Sequence, residues 1–279
     1  MKKQVLIIVV LLVILPLSLS AQEEFTAMTY NIKYANENDG ENSWSKRKDF
    51  FANQLKFYHP QIFGVQEALK SQIDFIEEIL PNYEHVGVGR EGGDQGEFSA
   101  IFYDSTKFKV LESNTFWLSE TPNEISKGWD ASLNRICTYV LVKDKESGDK
   151  FYFFNTHFDH QGDEARKNSA RLIIQKIKEI NAKHYPILLT GDFNLEPDTE
   201  AIQYIKSYLD DSKDASAEIK LGPSGTFNGY DFSRPVTRRI DYVFHSKDVK
   251  IKTYAVLSDN EEGRYASDHL PVFVKFILN

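Results

Sequence analysis

Short runs rich in β-branched and aromatic residues recur from Phe25 to Phe276, and they outnumber the helical stretches between them. Strands are expected at Phe25 to Lys33, Ile62 to Glu67, Glu97 to Tyr103, Arg135 to Val142 and Phe151 to His157, with shorter ones between Val110 and Leu118. Pro186 opens a buried strand through Leu189, and Arg239 to Phe244, Val249 to Val256 and a last run through Phe276 complete the set. Apolar residues at helical spacing mark about four helices. They are Phe50, Phe51, Leu55 and Tyr58 after a Ser45 cap; Leu69, Ile73, Ile76 and Leu80; Ala165, Leu172, Ile173, Ile177 and Ile180 from Asp163 onward; and Ile202, Ile205 and Leu209 after an Asp198 cap. Asp210 to Gly225 reads as polar loop. Turns between strands dominate over strict strand–helix alternation. The expected class is therefore α/β, with two packed, mainly antiparallel β-sheets flanked by helices.

Residues 1–20 differ in kind from the rest. Lys2 and Lys3 precede an apolar run from Val5 to Leu15, and small residues stand at Ser18 and Ser20. This is the order of a secretory signal peptide, and the run is short for a membrane span. The expected organisation is a signal peptide at 1–20 and a single domain over 21–279, placed outside the cytoplasm; an uncleaved anchor is the alternative. Loss of Lys2 and Lys3 moves the formal charge from −8 to −10. That balance gives no broad basic footprint for a long polyanion. Cys137 is the single cysteine, so no internal disulfide forms and the core must hold the fold.

Six segments end in side chains that bind metals or move protons: Asn31, Glu67, His157, Asp192 with Asn194, Asp241, and Asp268 with His269. On an extended chain Asp192 and Asn194 face one side together. Each residue also has an ordinary reading. Asn31 suits a turn, and Glu67 suits the first turn of a helix. The two histidines suit hydrogen-bonded core positions, and Asp241 suits a pair with Arg238 or Arg239.

Their order is more specific than any one of them. Thr29-Tyr30-Asn31-Ile32-Lys33, Gln66-Glu67, Asn155-Thr156-His157, Gly191-Asp192-Phe193-Asn194, Arg239-Ile240-Asp241-Tyr242 and Ser267-Asp268-His269-Leu270-Pro271-Val272 follow one another along the chain. This set resembles the endonuclease/exonuclease/phosphatase superfamily, to which deoxyribonuclease-I-like nucleases and several phosphatases belong. Gly128-Trp129-Asp130, Arg135-Ile136-Cys137-Thr138 and His157-Phe158-Asp159-His160 look most like a bacterial, secreted branch of undefined substrate. The resemblance implies a four-layered sandwich with its site at one end of the two sheets. It also implies Glu67 as the principal Mg²⁺ ligand, helped by Asn31 and Asp268, with Mn²⁺ as a substitute. Asp192 and Asn194 would orient the attacking water. His269 held by Asp241, and His157 oriented by Glu97, would form two carboxylate–histidine pairs, each favouring the imidazolium. Either Asp192 or His269 takes the water's proton.

The implied chemistry is direct attack of water on a phosphate mono- or diester. A metal and a cationic histidine offset the negative phosphoryl oxygens, and no serine or cysteine nucleophile is in the set. The alternatives are an extracytoplasmic nuclease and a non-catalytic binding protein on the same fold. A phosphorylated small molecule or lipid head group is expected as substrate rather than long duplex DNA, and the chain is expected to act as a monomer without an obligate protein partner. The basic clusters are short, as in Lys46-Arg47-Lys48 and Arg238-Arg239. The expected cleft loops carry Trp44, Trp129, Phe227, Tyr230 and Phe232 beside Arg135 and Arg234. Of these, Arg135 and Trp129 are the expected substrate contacts.

Overall fold

The structure is a computed structural model that describes residues 22–215 and 218–279. The expected signal peptide lies outside the described residues. Thirteen strands and five α-helices follow in order: β1 (Glu24–Asn31), α1 (Trp44–Tyr58), β2 (Ile62–Gln66), α2 (Lys70–Ile79), β3 (Tyr83–Val86), β4 (Ile101–Asp104), β5 (Phe108–Trp117), β6 (Ile136–Asp144), β7 (Lys150–His157), α3 (Asp163–Ile180), β8 (Ile187–Asp192), α4 (Glu200–Lys206), β9 (Asp210–Asp211), α5 (Ser212–Ala215), β10 (Ile219–Leu221), β11 (Asp241–His245), β12 (Val249–Val256) and β13 (Val272–Leu278). They form a seven-stranded sheet, β10-β12-β13-β1-β2-β4-β3, and a six-stranded sheet, β5-β6-β7-β8-β11-β9.

Period-2 alternation builds the layers. In β1, Phe25 and Ala27 enter the core shared by the sheets, while Met28 and Tyr30 face outward onto Phe51 and Leu55 of α1 and Ile73 and Ile76 of α2. In β7, Phe151 and Phe153 point inward, and Tyr152 and Phe154 pack under Ile173 and Ile177 of α3 and Ile202 of α4. The order is helices, sheet, sheet, helices.

Most strand pairs are antiparallel, but β1 runs parallel to β2, β7 to β8 and β10 to β12. Two of these parallel pairs are the strands of β–α–β crossovers through α1 and α3, one at the centre of each sheet. Parallel partners end at the same edge. Asn31 therefore lies opposite Gln66, and His157 opposite Asp192. β11 runs antiparallel to β8, so its first residue, Asp241, comes level with Asp192. β13 runs antiparallel to β1, with Val272 opposite Thr29, which brings the preceding segment 267–271 to that same edge.

Several boundaries differ from the sequence reading. Ser43, not Ser45, precedes α1, because Trp44 is 8 % exposed and packs against Phe51 and Phe75. Thr199, not Asp198, holds the N-cap position of α4. Val110 to Trp117 is part of one long strand, β5, with an irregularity between Val110 and Glu112, and Leu118 lies just beyond it. The expected loop from Asp210 to Gly225 contains β9, α5 and β10. Among the described residues no helix is long and apolar enough to cross a membrane.

Candidate active site

Strand parity aims most of the site. Asn31, His157, Asp192 and Asp241 share the inward parity of Ala27, Phe153, Leu188 and Val243, so they point between the sheets where the apolar core stops. Glu67 would point outward by parity. It enters the site because its backbone is left-handed, with φ of 61°. Asn194 is similar: its φ is 50°, and a turn, not an extended chain, brings it beside Asp192, whose Oδ1 accepts its N–H at 2.8 Å. Left-handed backbone at non-glycine residues is costly and clusters at functional sites.

A buried polar layer forms the floor. Asn155 Nδ2 donates to the carbonyls of Val65 and Ala100, 2.9 Å each, and its Oδ1 accepts from Gln66 at 2.6 Å. These bonds tie the two sheets together beneath the site. A Cβ at Gly64 would lie 2.4 Å from Asn155 Cγ, so glycine is required there.

Above the floor lies a cavity of about 630 Å³, lined by Glu67, Glu97, Arg135, His157, Asp192, Asn194, Asp268 and His269 among others. Asn31 and Asp241 stand directly behind this lining. His269 Nδ1 is 2.9 Å from Asp241 Oδ2, its Nε2 is 3.8 Å from Asp192 Oδ2, and Phe227 packs edge-on at 5.0 Å. Burial alone would lower the His269 pKa, but Asp241 and Asp192 outweigh it and push it up to about 10. His269 is therefore an imidazolium at neutral pH. Burial, reinforced by the charge of Asp241, raises the Asp192 carboxyl above the usual range.

His157 is the opposite case. Its Nε2 faces Asn194 Nδ2 at 3.2 Å and Asp192 at 3.5 Å. Burial, then the Arg135 guanidinium, holds its pKa well below the usual value. The expected imidazolium is corrected to a neutral ring. The expected partner is corrected too. Glu97 is paired with Arg90 Nη1 at 2.7 Å, and that pairing rather than His157 fixes its carboxylate. Glu97 still lines the cavity, and burial raises its pKa.

Asn31 Nδ2 sits 3.0 Å from both Glu67 Oε1 and Asp192 Oδ2 and separates the two carboxylates. Lys33 Nζ is 3.5 Å from Glu67 Oε2. Burial, with the Glu67 charge beside it, raises the Asp268 pKa. Glu67 and Asp268 are thus half-buried carboxylates lining one cavity, with Lys33 beside Glu67 and the His269 charge acting on both, an oxygen donor set that suits a hard divalent cation. Asp192, Asp241 and His269 also bring one ligand atom each to within 4.8 Å of one another, a group able to take a metal ion. In that group the imidazole holds a proton against Asp241, which a metal would have to displace.

The other expected contacts divide. Arg135 lines the cavity, with Nε 3.4 Å from Asp159 and Nη2 3.1 Å from His160. Trp129 does not line it; the backbone N–H of Trp129 is held by Glu120 at the rim of a separate turn. Arg234 is exposed and paired with Asp231, Phe232 packs on Tyr265, and Trp44 is core. Arg239 pairs with Asp211 rather than Asp241, and Cys137 is fully buried with its thiol pKa raised by burial.

Sequence reasoning missed Lys33, Arg90, His160 and Arg238 in the lining and Arg47 behind it. Arg47 reads as one member of a surface basic cluster. Yet it is 4 % exposed, and its guanidinium donates to the carbonyls of Ile32 and Lys33, 2.6 Å each, and of Ala266 at 3.0 Å. It joins the loop after Asn31 to the segment carrying Asp268. The only signal was its place one turn into a predicted amphipathic helix.

A solved structure of a mannosyl-6-phosphatase from Bacteroides thetaiotaomicron is 40 % identical, with a TM-score of 0.87 over 91 % of this chain and all of that one. An endonuclease/exonuclease/phosphatase family protein from Bacteroides thetaiotaomicron is 39 % identical, with a TM-score of 0.89 over 93 % of this chain and 99 % of that one. An RNA exonuclease of Saccharomyces cerevisiae is 24 % identical over 79 % of this chain and 75 % of its own length. The model of the endonuclease/exonuclease/phosphatase family matches residues 28–269. The cleft, the sheets that build it and this match place the chain in the endonuclease/exonuclease/phosphatase family, whose members are metal-dependent hydrolases of phosphate esters.

Proposed function

We propose that the protein is an extracytoplasmic, Mg²⁺-dependent phosphoesterase that hydrolyses a phosphate ester of a small phosphorylated molecule such as a sugar phosphate or lipid head group. The observation that carries this reading is the meeting of opposite chemistries in one cavity: the cationic His269 against Asp241 at 2.9 Å, and the Glu67 and Asp268 carboxylates beside it. The likeness to a mannosyl-6-phosphatase over that protein's whole length supports a small substrate.

Glu67 and Asp268, with Asn31 beside them, would hold the metal, which when bound offsets charge on the phosphoryl oxygens. The chain's own residues supply the rest. Asp192, with its raised pKa, and Asn194 are placed to align a water through one carboxylate and one amide. His269 presents a positive N–H at Nε2 toward the reacting oxygens and is kept protonated by Asp241. A group that already holds a proton is not the base, so Asp192 takes the proton of the attacking water. His157, being neutral, donates or accepts one hydrogen bond without adding charge.

The test is a panel of phosphate monoesters, diesters, phospholipids, RNA and DNA, assayed with Mg²⁺, with Mn²⁺ and in EDTA. Metal-dependent turnover of a small phosphate ester is expected. Salt-sensitive cleavage of nucleic acid without turnover of small esters would replace this reading with the nuclease one. N-terminal sequencing of the exported protein checks removal of residues 1–20.

A further inference from the structure

We propose that the Arg135 wall of the cleft selects phosphate monoesters over diesters, by charge and by shape; this rests on the phosphoesterase reading and deepens it.

Arg135 is 5 % exposed. A guanidinium so buried calls for a full complement of acceptors. Arg135 lacks one. The one carboxylate within ion-pair reach, Asp159, approaches Nε only at 3.4 Å, and Glu97 and Asp192 act on the guanidinium from beyond contact. Asp159 is already occupied: it accepts the backbone N–H groups of Ser132, Leu133, Gln161 and Gly162 and the Ser132 hydroxyl. The partner of Nη2 is a histidine nitrogen, which carries no negative charge. Nη1 has no hydrogen-bond partner among the described residues. Lys33 and Arg90, by contrast, have Glu67 and Glu97. Arg135 is thus the buried lining cation whose charge the neighbouring carboxylates leave least satisfied. An anion with two charges gains more from it than an anion with one.

A braced loop stands behind Arg135. Residues 89–97 fold back on themselves, with Gly89 N–H on the Gly93 carbonyl at 2.7 Å and Arg90 N–H on the Glu97 carbonyl at 2.9 Å. Trp117 Nε1 pins this loop through the Arg90 carbonyl at 2.8 Å, and Asn134 pins it through Glu91 at 2.7 Å. Behind Arg135 and His157 only a void of about 10 Å³ remains. That is room for one water and for no organic arm. With an unesterified oxygen on Arg135, a diester must send both of its diverging arms out through the open side of the cleft, where a monoester sends only one. A monoester turns its unsubstituted oxygens toward Arg135 and leaves its one arm on the side of Phe227 and Arg238. Water oxygen then bonds to phosphorus, the bond to the ester oxygen breaks, that oxygen takes a proton, and an alcohol and inorganic phosphate result.

The experiment compares kcat/KM for 4-nitrophenyl phosphate and bis(4-nitrophenyl) phosphate, using the full chain with saturating Mg²⁺. Wild type is expected to prefer the monoester. Arg135→Gln is expected to lower the monoester value by about 10²-fold and the diester value by less than about tenfold. Arg135→Lys, which keeps the charge, restores part of the loss. Arg90→Gln tests the wall without removing the buried cation and raises the diester value relative to the monoester. Equal losses on both substrates, or a wild type that prefers the diester, would overturn the proposal while leaving the phosphoesterase reading standing. Calorimetric titration with inorganic phosphate and with dimethyl phosphate separates the two further. Phosphate binding that disappears in Arg135→Gln supports the dianion site even if neither ester turns over. Phosphate binding unchanged in that variant overturns it.

Discussion

His269, in the segment leading into β13, and His157, at the end of β7, are both buried and face the same cavity, yet their surroundings charge one and leave the other neutral. His269 has Asp241 at 2.9 Å and Asp192 at 3.8 Å, and it keeps its proton. His157 has an arginine nearby and an amide N–H pointing at Nε2, and it stays neutral. The difference lies in the charge that neighbouring strands of the six-stranded sheet bring to each ring. β11 delivers a carboxylate to His269, whereas β6 begins just after Arg135 and delivers a guanidinium to His157. Residue type thus names the candidates, and neighbours assign the roles. The cleft has an acidic half, around Glu67, Asp241 and Asp268, and a basic half, around Arg135 and Arg90; in the proposed function the first would take the metal and the second the anion.

The largest effect expected from breaking this division is at His269. His269→Ala is expected to reduce kcat by about 10²–10⁴ if the imidazolium acts on the reacting oxygens. Asp241→Asn leaves the ring but removes the charge that keeps it protonated, so its loss is expected to grow from pH 6 to pH 9. Full activity of His269→Ala on any substrate would refute the role. His157→Gln is expected to cost less, because a neutral hydrogen-bonding group replaces a neutral one.

A smaller effect is expected at Arg47, behind the acidic half. Its bonds to Ile32, Lys33 and Ala266 set the spacing between the Asn31–Glu67 loops and Asp268. Arg47→Lys cannot reach all three carbonyls. The Mg²⁺ concentration for half-maximal activity is expected to rise by about tenfold, with kcat at saturating metal changed little. A fall in kcat alone, with metal affinity intact, would move Arg47 from positioning the metal side to general stability.

The fold was legible because its signals are local. Alternation in β1, β7 and β8 and the 3.6-residue spacing in α1 to α4 are written in consecutive residues. The strand-end residues were legible for the same reason, since Asn31, His157, Asp192 and Asp241 follow the parity of the strands that carry them. What failed to show was pairing between distant segments. Nothing near Glu97 in sequence says that Arg90 folds back onto it, and nothing near His157 says that Arg135 arrives from the neighbouring strand. The neutral state of His157 is therefore a product of tertiary structure. Arg47 was hidden differently: a charged residue between two lysines reads as surface, and only the carbonyl ends of two distant loops reveal it as buried. Trp129 failed because an aromatic in a glycine turn says nothing of the direction it faces.

The smallest effect, and the one that separates the halves most cleanly, concerns stability against pH. Burial would raise the Asp159 pKa, but the backbone N–H groups of Gly162, Gln161 and Ser132 outweigh it and hold the carboxyl well below the usual range. A depressed pKa contributes stability that is full above the unfolded value of about 3.9 and is lost as pH falls below it. His269 behaves in the reverse sense. Its pKa is raised to about 10. Its contribution is full below the unfolded value of about 6.5 and is lost as pH rises from there through the folded value. The basic half is thus anchored by a carboxylate that lets go in acid, and the acidic half by an imidazolium that lets go in alkali. Melting curves in EDTA from pH 3 to pH 10.5 test both. Asp159→Asn is expected to melt lower at pH 7, with the gap starting to narrow only as pH falls below about 3.9. His269→Gln is expected to differ most from wild type near pH 6 and to converge with it above pH 10. For a chain of this size each kcal/mol moves the midpoint by about 2–4 °C, so the two limbs are measurable. If both variants ran parallel to wild type across the whole range, the opposite charging of the two halves would be wrong, whatever the activities showed.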